Sequence, residues 1–390
     1  MAVKQRRNKK SNAAAVVKDA PDSNAAATAP LVIKPILFED HLPPLPLVFT
    51  VLFCSGALWV LGLRDFLATG KNFLGDMDDA YLEFTKSTQW FADAKGWKST
   101  QGGLSAVQGR TTDENNMGGL FVRKLVGAAT IAIHLHKLLP ILFHPKGAQW
   151  KHGHFRPLLA TSVLANLSIA TLYGVYMEDF SVAGADLVPT IIMALLGLET
   201  LVMLTYLIRQ TKTTRGPSVI MPEGKIPTST VNRICARTVL VVSGVMTLIA
   251  GRDVFMSGSV IPFIPRDDIY LEWTGAFLHS PPHGSVEAAE HGLDAPFYVG
   301  DKFISQLAGV SILVLCLYKF VSSCMIQYGS DGSGWIKSKM FWRTSSVTGA
   351  LIVFCFRLFH APALSASLDI RWHLMMLSYE AFILGLYAFM

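Results

Sequence analysis

The sequence predicts an all-α polytopic membrane protein, with about eight transmembrane helices arranged as two tandem four-helix units in parallel orientation. Three observations lead there. Of 390 residues, 51% are hydrophobic and 16% are charged, where soluble domains carry about one quarter charged residues. The apolar residues gather into eight runs, most of them near the roughly 20 residues that a bilayer helix needs. The second half of the chain also repeats motifs of the first in the same order.

Leu45 to Leu63 is the first run, free of charge between His41 and Arg64. Leu125 to Phe143, Leu158 to Tyr176 and Leu187 to Ile208 follow, the last interrupted by Glu199. Thr238 to Gly251 is short and becomes a full span by starting near Arg233, with Arg233 and Arg237 snorkelling to the interface. Phe303 to Cys324, Ser345 to Leu358 and Trp372 to Met390 complete the set. Residues 1–44 read as a disordered basic tail, since they combine a basic cluster with little apolar periodicity. Two four-helix membrane units follow, 45–210 and 233–390. Residues 211–232, punctuated by Gly216, Pro217, Pro222, Gly224 and Pro227, form a cytosolic linker between them.

The net charge of +6 is accounted for by position along the chain. With the N-terminus inside, the inner loops 144–157, 209–237 and 325–343 are rich in Lys and Arg, and their acids are Glu223 and Asp331. The outer loop 177–186 holds Glu178, Asp179 and Asp186 with no base, and the outer loop 251–301 holds eight acids against Arg252 and Arg266. That is the positive-inside pattern. It explains the basic balance through the lipid bilayer and calls for no nucleic-acid partner. It places an integral membrane protein with a cytosolic N-terminus in an endomembrane or the plasma membrane. An acid-free stretch over the first eighteen residues leaves an organelle membrane open.

The repeat is the most informative feature. Arg64-Asp65-Phe66 returns as Arg252-Asp253-Val254, and Asp78-Asp79-Ala80-Tyr81-Leu82-Glu83-Phe84-Thr85 returns as Asp267-Asp268-Ile269-Tyr270-Leu271-Glu272-Trp273-Thr274. Gly127 matches Gly309, Lys137 matches Lys319, Arg156 matches Arg343 and Glu199 matches Glu380. Four helices per unit is an even number, so both units enter the membrane from the same side, as parallel repeats.

Glu199 and Glu380 are the main candidates for function. A carboxylate in the middle of a span costs several kcal/mol unless protonated, paired or facing a cavity, so the two are expected to bind a ligand, carry protons, or bond to a neighbouring helix. His134 is a candidate relay or ligand contact, set against Ile312 in the second half, with a packed histidine bonded to a carbonyl as the structural alternative. Arg357 is expected to pair with Glu380. Lys137 and Lys319 are expected to snorkel to the inner surface. Tyr81, Phe84, Tyr270 and Trp273 recur at i, i+3, the spacing of one helical face, and suggest a short helix on the outer surface. Arg64-Asp65 is expected to seal a helix end as an ion pair. Asn166-Leu167-Ser168 fits the glycosylation pattern but falls inside a span, so no glycan is expected.

No metal or cofactor is expected. His279, His283, Glu287, Glu290 and His291 form a cluster, but Pro281-Pro282 breaks the helix that would present the first two histidines. His144, His152 and His154 read as solvated loop residues. The five cysteines form no CxxC pair. The chain holds no GxxxxGK[ST] loop, HExxH, GxSxG or dinucleotide fingerprint.

The four-helix unit with a long outer loop, together with Tyr176-Met177-Glu178-Asp179-Phe180, resembles the EXPERA proteins, the sterol-isomerase and sigma-2-receptor group. Those proteins carry an acidic residue in the second helix, and neither second helix here does, so no site residue is carried over. The leading expectation is a protein, non-enzymatic in the absence of any catalytic motif, that binds or carries a small lipid or solute in a cavity between the units. The alternatives are an intramembrane lipid-modifying enzyme of the isomerase kind, using His134 with Glu199, and a structural subunit docking a membrane-protein partner.

Overall fold

The computed structural model describes residues 43–67, 80–81, 84–85, 112–143, 155–213, 230–255, 295–328, 339–358 and 368–389. The basic tail, most of the linker, the histidine clusters of both loops, and Tyr270 and Trp273 lie outside the described residues. Every extended element among the described residues is a helix. In chain order these are α1 (Leu45–Leu67), α2 (Thr112–Leu142), α3 (Arg156–Val175), the short α4 (Met177–Val182), α5 (Leu187–Thr213), α6 (Thr230–Phe255), α7 (Ala295–Tyr328), α8 (Lys339–Leu358) and α9 (Leu368–Phe389).

Six of them, α1, α2, α3, α5, α6 and α7, are long and apolar enough to cross a bilayer. This is the make-up of an integral membrane protein. The expectation was eight. Of the remaining two, α8 spans 20 residues and α9 is apolar over the shorter stretch Leu374–Phe389. The short apolar run at Thr238–Gly251 extends to a full helix because α6 begins at Thr230, ahead of Arg233 as its length requires.

Each long helix has a defined set of neighbours. α1 lies along α2, and α6 lies along α7; α3 pairs with α5, and α8 with α9. α2 and α7 meet at the centre, each also touching the other half through α8 and α3 respectively. Their apolar windows are each 72% buried, against 22% for α5. Large apolar side chains are exposed instead on the outer helices, such as Phe49 and Phe53 on α1, Leu201 on α5, Val241 on α6 and Phe382 on α9. An outer face of this kind is stable only in an apolar solvent.

Glycines set how closely the helices approach. A methyl group built on Gly127 would overlap the backbone of Phe66, and one on Gly309 would come within 2.8 Å of the Val254 backbone nitrogen. Where hydrocarbon surrounds the helices, no hydrophobic force drives them together, so close backbone packing at small residues is a main source of cohesion. The Gly127 and Gly309 match therefore marks two helix crossings, α1 on α2 and α6 on α7.

The segment of Tyr81 and Phe84 differs from the expected surface helix. Tyr81 and Phe84 are almost fully buried. Phe84 stacks within 4.5 Å of Phe180, which also packs on Tyr173 and Phe303. Gly300 allows the approach, since any side chain there would strike the Phe84 carbonyl. Phe180 reaches this cluster because α4 ends in a tight reversal. Gly184 adopts φ 67°, the Gly184 amide bonds the Ser181 carbonyl and the Ala185 amide bonds the Phe180 carbonyl, a Schellman closure that glycine makes without strain. The aromatic motif thus serves the core, because these rings bury more area against one another than at an interface.

Candidate functional site

Glu199 lies near the middle of α5 and is fully buried. Its carboxylate collects one residue from each of the other three long helices of the first half. From α1, the Ser55 hydroxyl donates to Oε1. From α2, Lys137 Nζ donates to Oε2 at 2.8 Å. From α3, Asn166 Nδ2 donates to the same oxygen at 2.8 Å, while Asn166 Oδ1 accepts from Lys137. His134 Nδ1 sits 3.0 Å from the Ser55 hydroxyl, so a chain runs from imidazole through hydroxyl to carboxylate.

This corrects two expectations. Lys137 is buried and ion-paired, with no exposed surface. A carboxylate with no water needs its counter-charge close by, and the cation reaches the acid because leaving either one alone costs more than burying both. It is also His136, two positions past the relay candidate His134, that bonds a carbonyl, with Nδ1 2.8 Å from the Ala132 oxygen. His134 bonds a side chain instead.

Glu380 is the matching acid on α9. Its partner is Lys319, whose Nζ lies 2.7 Å from Oε2. Lys319 is therefore buried rather than snorkelling. Arg357, expected to hold Glu380, is an exposed side chain in the last turn of α8. Lys319 outcompetes it by position: it projects from α7 inside the bundle, 61 residues before its acid, as Lys137 stands 62 before Glu199.

The two acids differ in what surrounds them. Glu380 Oε1 and the Ser243 hydroxyl are both buried without a hydrogen-bond partner among the described residues. Ser243 stands 188 residues after Ser55, the same offset as Arg252 after Arg64. Counted from the lysines, the residue in the place of His134 is Cys316, not Ile312. Thr161-Ser162 returns as Thr344-Ser345, an offset of 183 (161 to 344) that sets Gly349 opposite Asn166 and Lys339, rather than Arg343, opposite Arg156. The geometry agrees at the acid, since a β-carbon built on Gly349 would lie 3.6 Å from Glu380 Oε2.

A second polar cluster lies at the C-terminal end of α1. Arg64 and Arg123 both hold Asp65 Oδ1 at 2.8 Å, so the expected helix-end ion pair is present with an added cation from α2. Arg123 also donates to the Thr85 hydroxyl at 3.2 Å and lies 5.5 Å over the Tyr81 ring. Tyr81 in turn meets the Tyr173 hydroxyl at 3.1 Å. Burial pushes the Tyr81 phenol above its ordinary range, with the Arg123 cation pulling the other way.

The seam between the halves is also partly polar. Tyr318 donates to the Ser162 hydroxyl at 2.7 Å, the Tyr176 phenol donates to Gln306 Oε1, and Gln306 Nε2 donates to the Val254 carbonyl at 2.8 Å. No group of three or more His, Cys, Asp or Glu side chains able to hold a metal occurs among the described residues. Four cysteines, Cys54, Cys235, Cys316 and Cys355, are buried free thiols.

Compared with models of known protein families, with curated proteins and with solved structures, the chain matches none.

Sequence reasoning named Glu199, Glu380 and His134 but missed Ser55, Asn166, Ser243 and Gly349. The lysines were noticed and assigned elsewhere. A signal was available, because each mid-span acid requires a cation, and each has one at nearly the same separation along the chain.

Proposed function

We propose that the chain is a multi-pass membrane protein of two tandem, parallel four-helix units that binds, and by binding carries, a small lipid or solute at its intramembrane lysine–glutamate pairs. The observation that carries this is the duplicated Lys–Glu pair at mid-span, Lys137 with Glu199 and Lys319 with Glu380. Packing alone does not need such pairs, because a well-fitted apolar replacement is often as stable or more so. Charges retained there point to a ligand or a proton as their use.

Several features support the two-unit arrangement: the ordered sequence matches, the recurrence of the same neighbours among α1, α2, α3, α5 and α6, α7, α8, α9, and the paired glycine crossings. The partners of each acid come from its own four helices, so the binding group belongs inside a unit rather than in a cavity between units. The N-terminus is cytosolic by the charge of the loops. The bilayer is the solvent, and a membrane-protein partner would dock on the outer loops.

The test is a reconstituted lipid-binding and transport assay in liposomes, comparing Glu199→Gln, Glu380→Gln and the double variant with the native protein. Loss of binding in one single variant identifies the working acid. Native behaviour in the double variant removes both.

A second reading, an intramembrane isomerase, is favoured by the His134–Ser55–Glu199 chain, which links the acid–base pair such a reaction needs. Shift of a double bond in a sterol substrate, lost on His134→Ala and with a bell-shaped pH profile, would establish it.

A further inference from the structure

We infer that the second unit holds a binding site for a carboxamide headgroup on an apolar molecule, built from Lys319, Glu380 and Ser243 at the place left without a side chain by Gly349. This rests on the binding function proposed above and assigns its ligand class and its unit.

The first unit shows what fills the equivalent place. There the Asn166 carboxamide accepts from Lys137 through Oδ1 and donates to Glu199 through Nδ2. It bridges the buried cation and the buried anion with one planar group. The Ser55 hydroxyl takes the remaining carboxylate oxygen. Both oxygens of that acid are therefore engaged by the protein's own side chains.

In the second unit the same cation and anion are present, 2.7 Å apart, but the bridging group is not. Gly349 is buried and contributes no side chain, and a β-carbon there makes only ordinary contacts, 3.6 Å or more from its neighbours. Cys316 stands in the place of His134, and the Thr247 hydroxyl donates to the Ser243 carbonyl rather than to its side chain. Two further fully buried polar atoms, Glu380 Oε1 and Ser243 Oγ, the counterparts of the Glu199 Oε1–Ser55 bond, have no partner among the described residues. Buried polar atoms without partners are costly, and a ligand that satisfies them binds with that cost as its driving force.

The chemistry selects the ligand. The site offers a lysine ammonium as donor and a carboxylate as acceptor, side by side. A primary carboxamide presents a carbonyl that accepts from Lys319, as Asn166 Oδ1 accepts from Lys137, and two N–H donors, enough to reach the unpartnered Glu380 Oε1 as well as Oε2. A carboxylate ligand would be repelled by Glu380, and a simple amine would meet Lys319 at like charge. The surroundings are apolar helix, so the rest of the ligand is a hydrocarbon chain.

The experiment uses the full chain in nanodiscs with a diazirine-bearing octadecanamide as photoprobe. Saturable labelling of α8 and α9 peptides is expected, competed by unlabelled octadecanamide. The N,N-dimethyl analogue, which keeps the carbonyl and has no N–H, should label at least tenfold less. Gly349→Asn should abolish the label while keeping or raising the thermal midpoint. Asn166→Gly should create a new label on α3 and α5, a gain that misfolding does not produce. Saturable labelling that persists in Gly349→Asn overturns this inference and leaves lipid binding standing. Absence of saturable labelling overturns it as well, and if the Glu199→Gln, Glu380→Gln double variant also leaves co-purifying lipid unchanged, the proposed function falls with it.

Discussion

Lys137 meets Glu199 at 2.8 Å with neither side chain exposed. The pair joins α2 to α5, and Asn166 on α3 and Ser55 on α1 tie in two further helices. Breaking one member leaves a buried charge with no counter-ion. Lys137→Met should cost about 3–5 kcal/mol. Lys137→Met combined with Glu199→Leu should recover much of that loss. Thermal unfolding in detergent reads the difference, and additive losses would show that the two residues are not coupled.

Ser55 and Ser243 give a sharper comparison. Ser55 bonds both Glu199 and His134, while Ser243 has no partner. Ser55→Ala should cost about 1–3 kcal/mol, and Ser243→Ala, which removes a buried hydroxyl with no partner among the described residues, should leave stability unchanged or raise it. Equal effects in a denaturation series would contradict the difference between the two sites.

Gly127 and Gly309 sit where helices touch backbone to backbone. Adding one methyl group forces α1 from α2, or α6 from α7. Alanine at either place should cost about 1–3 kcal/mol by overpacking. Gly127→Ala should be the worse of the two, because its neighbour is the nearer. Paired melting curves decide the order.

Arg123 neutralises Asp65 together with Arg64 and also orders Thr85 and Tyr81. Because Arg64 remains to hold the acid, Arg123→Ala should cost about 1–3 kcal/mol, less than loss of Lys137. Its local signature is release of Tyr81, read as faster hydrogen exchange around residues 80–85. Unchanged exchange would mean that the aromatic cluster alone keeps the segment in place.

Orientation is tested with single cysteines in a background whose five cysteines are replaced by alanine. A cysteine at Ser218, in the linker, should react with a membrane-impermeant maleimide only after the cytosolic side is opened. One at Ser285, in the long acidic loop, should react from the outer side. The reverse pattern would invert the topology.

The sequence by itself determined the membrane class, the helix segments and the doubled motif, because these depend on local composition: an apolar run of bilayer length has few other stable forms. The spacing of Lys137 from Glu199 and of Lys319 from Glu380 was also written there. Only the tertiary structure decided that those lysines turn inward, that Tyr81 and Phe84 enter the core, and that Arg357 stands apart from Glu380. Each of these depends on which side chain from a distant helix arrives first at a buried group, and that is settled by packing across four helices. The contrast between Asn166 and Gly349 belongs to the same category: one residue letter in a helix carries meaning only once the acid that it faces is known.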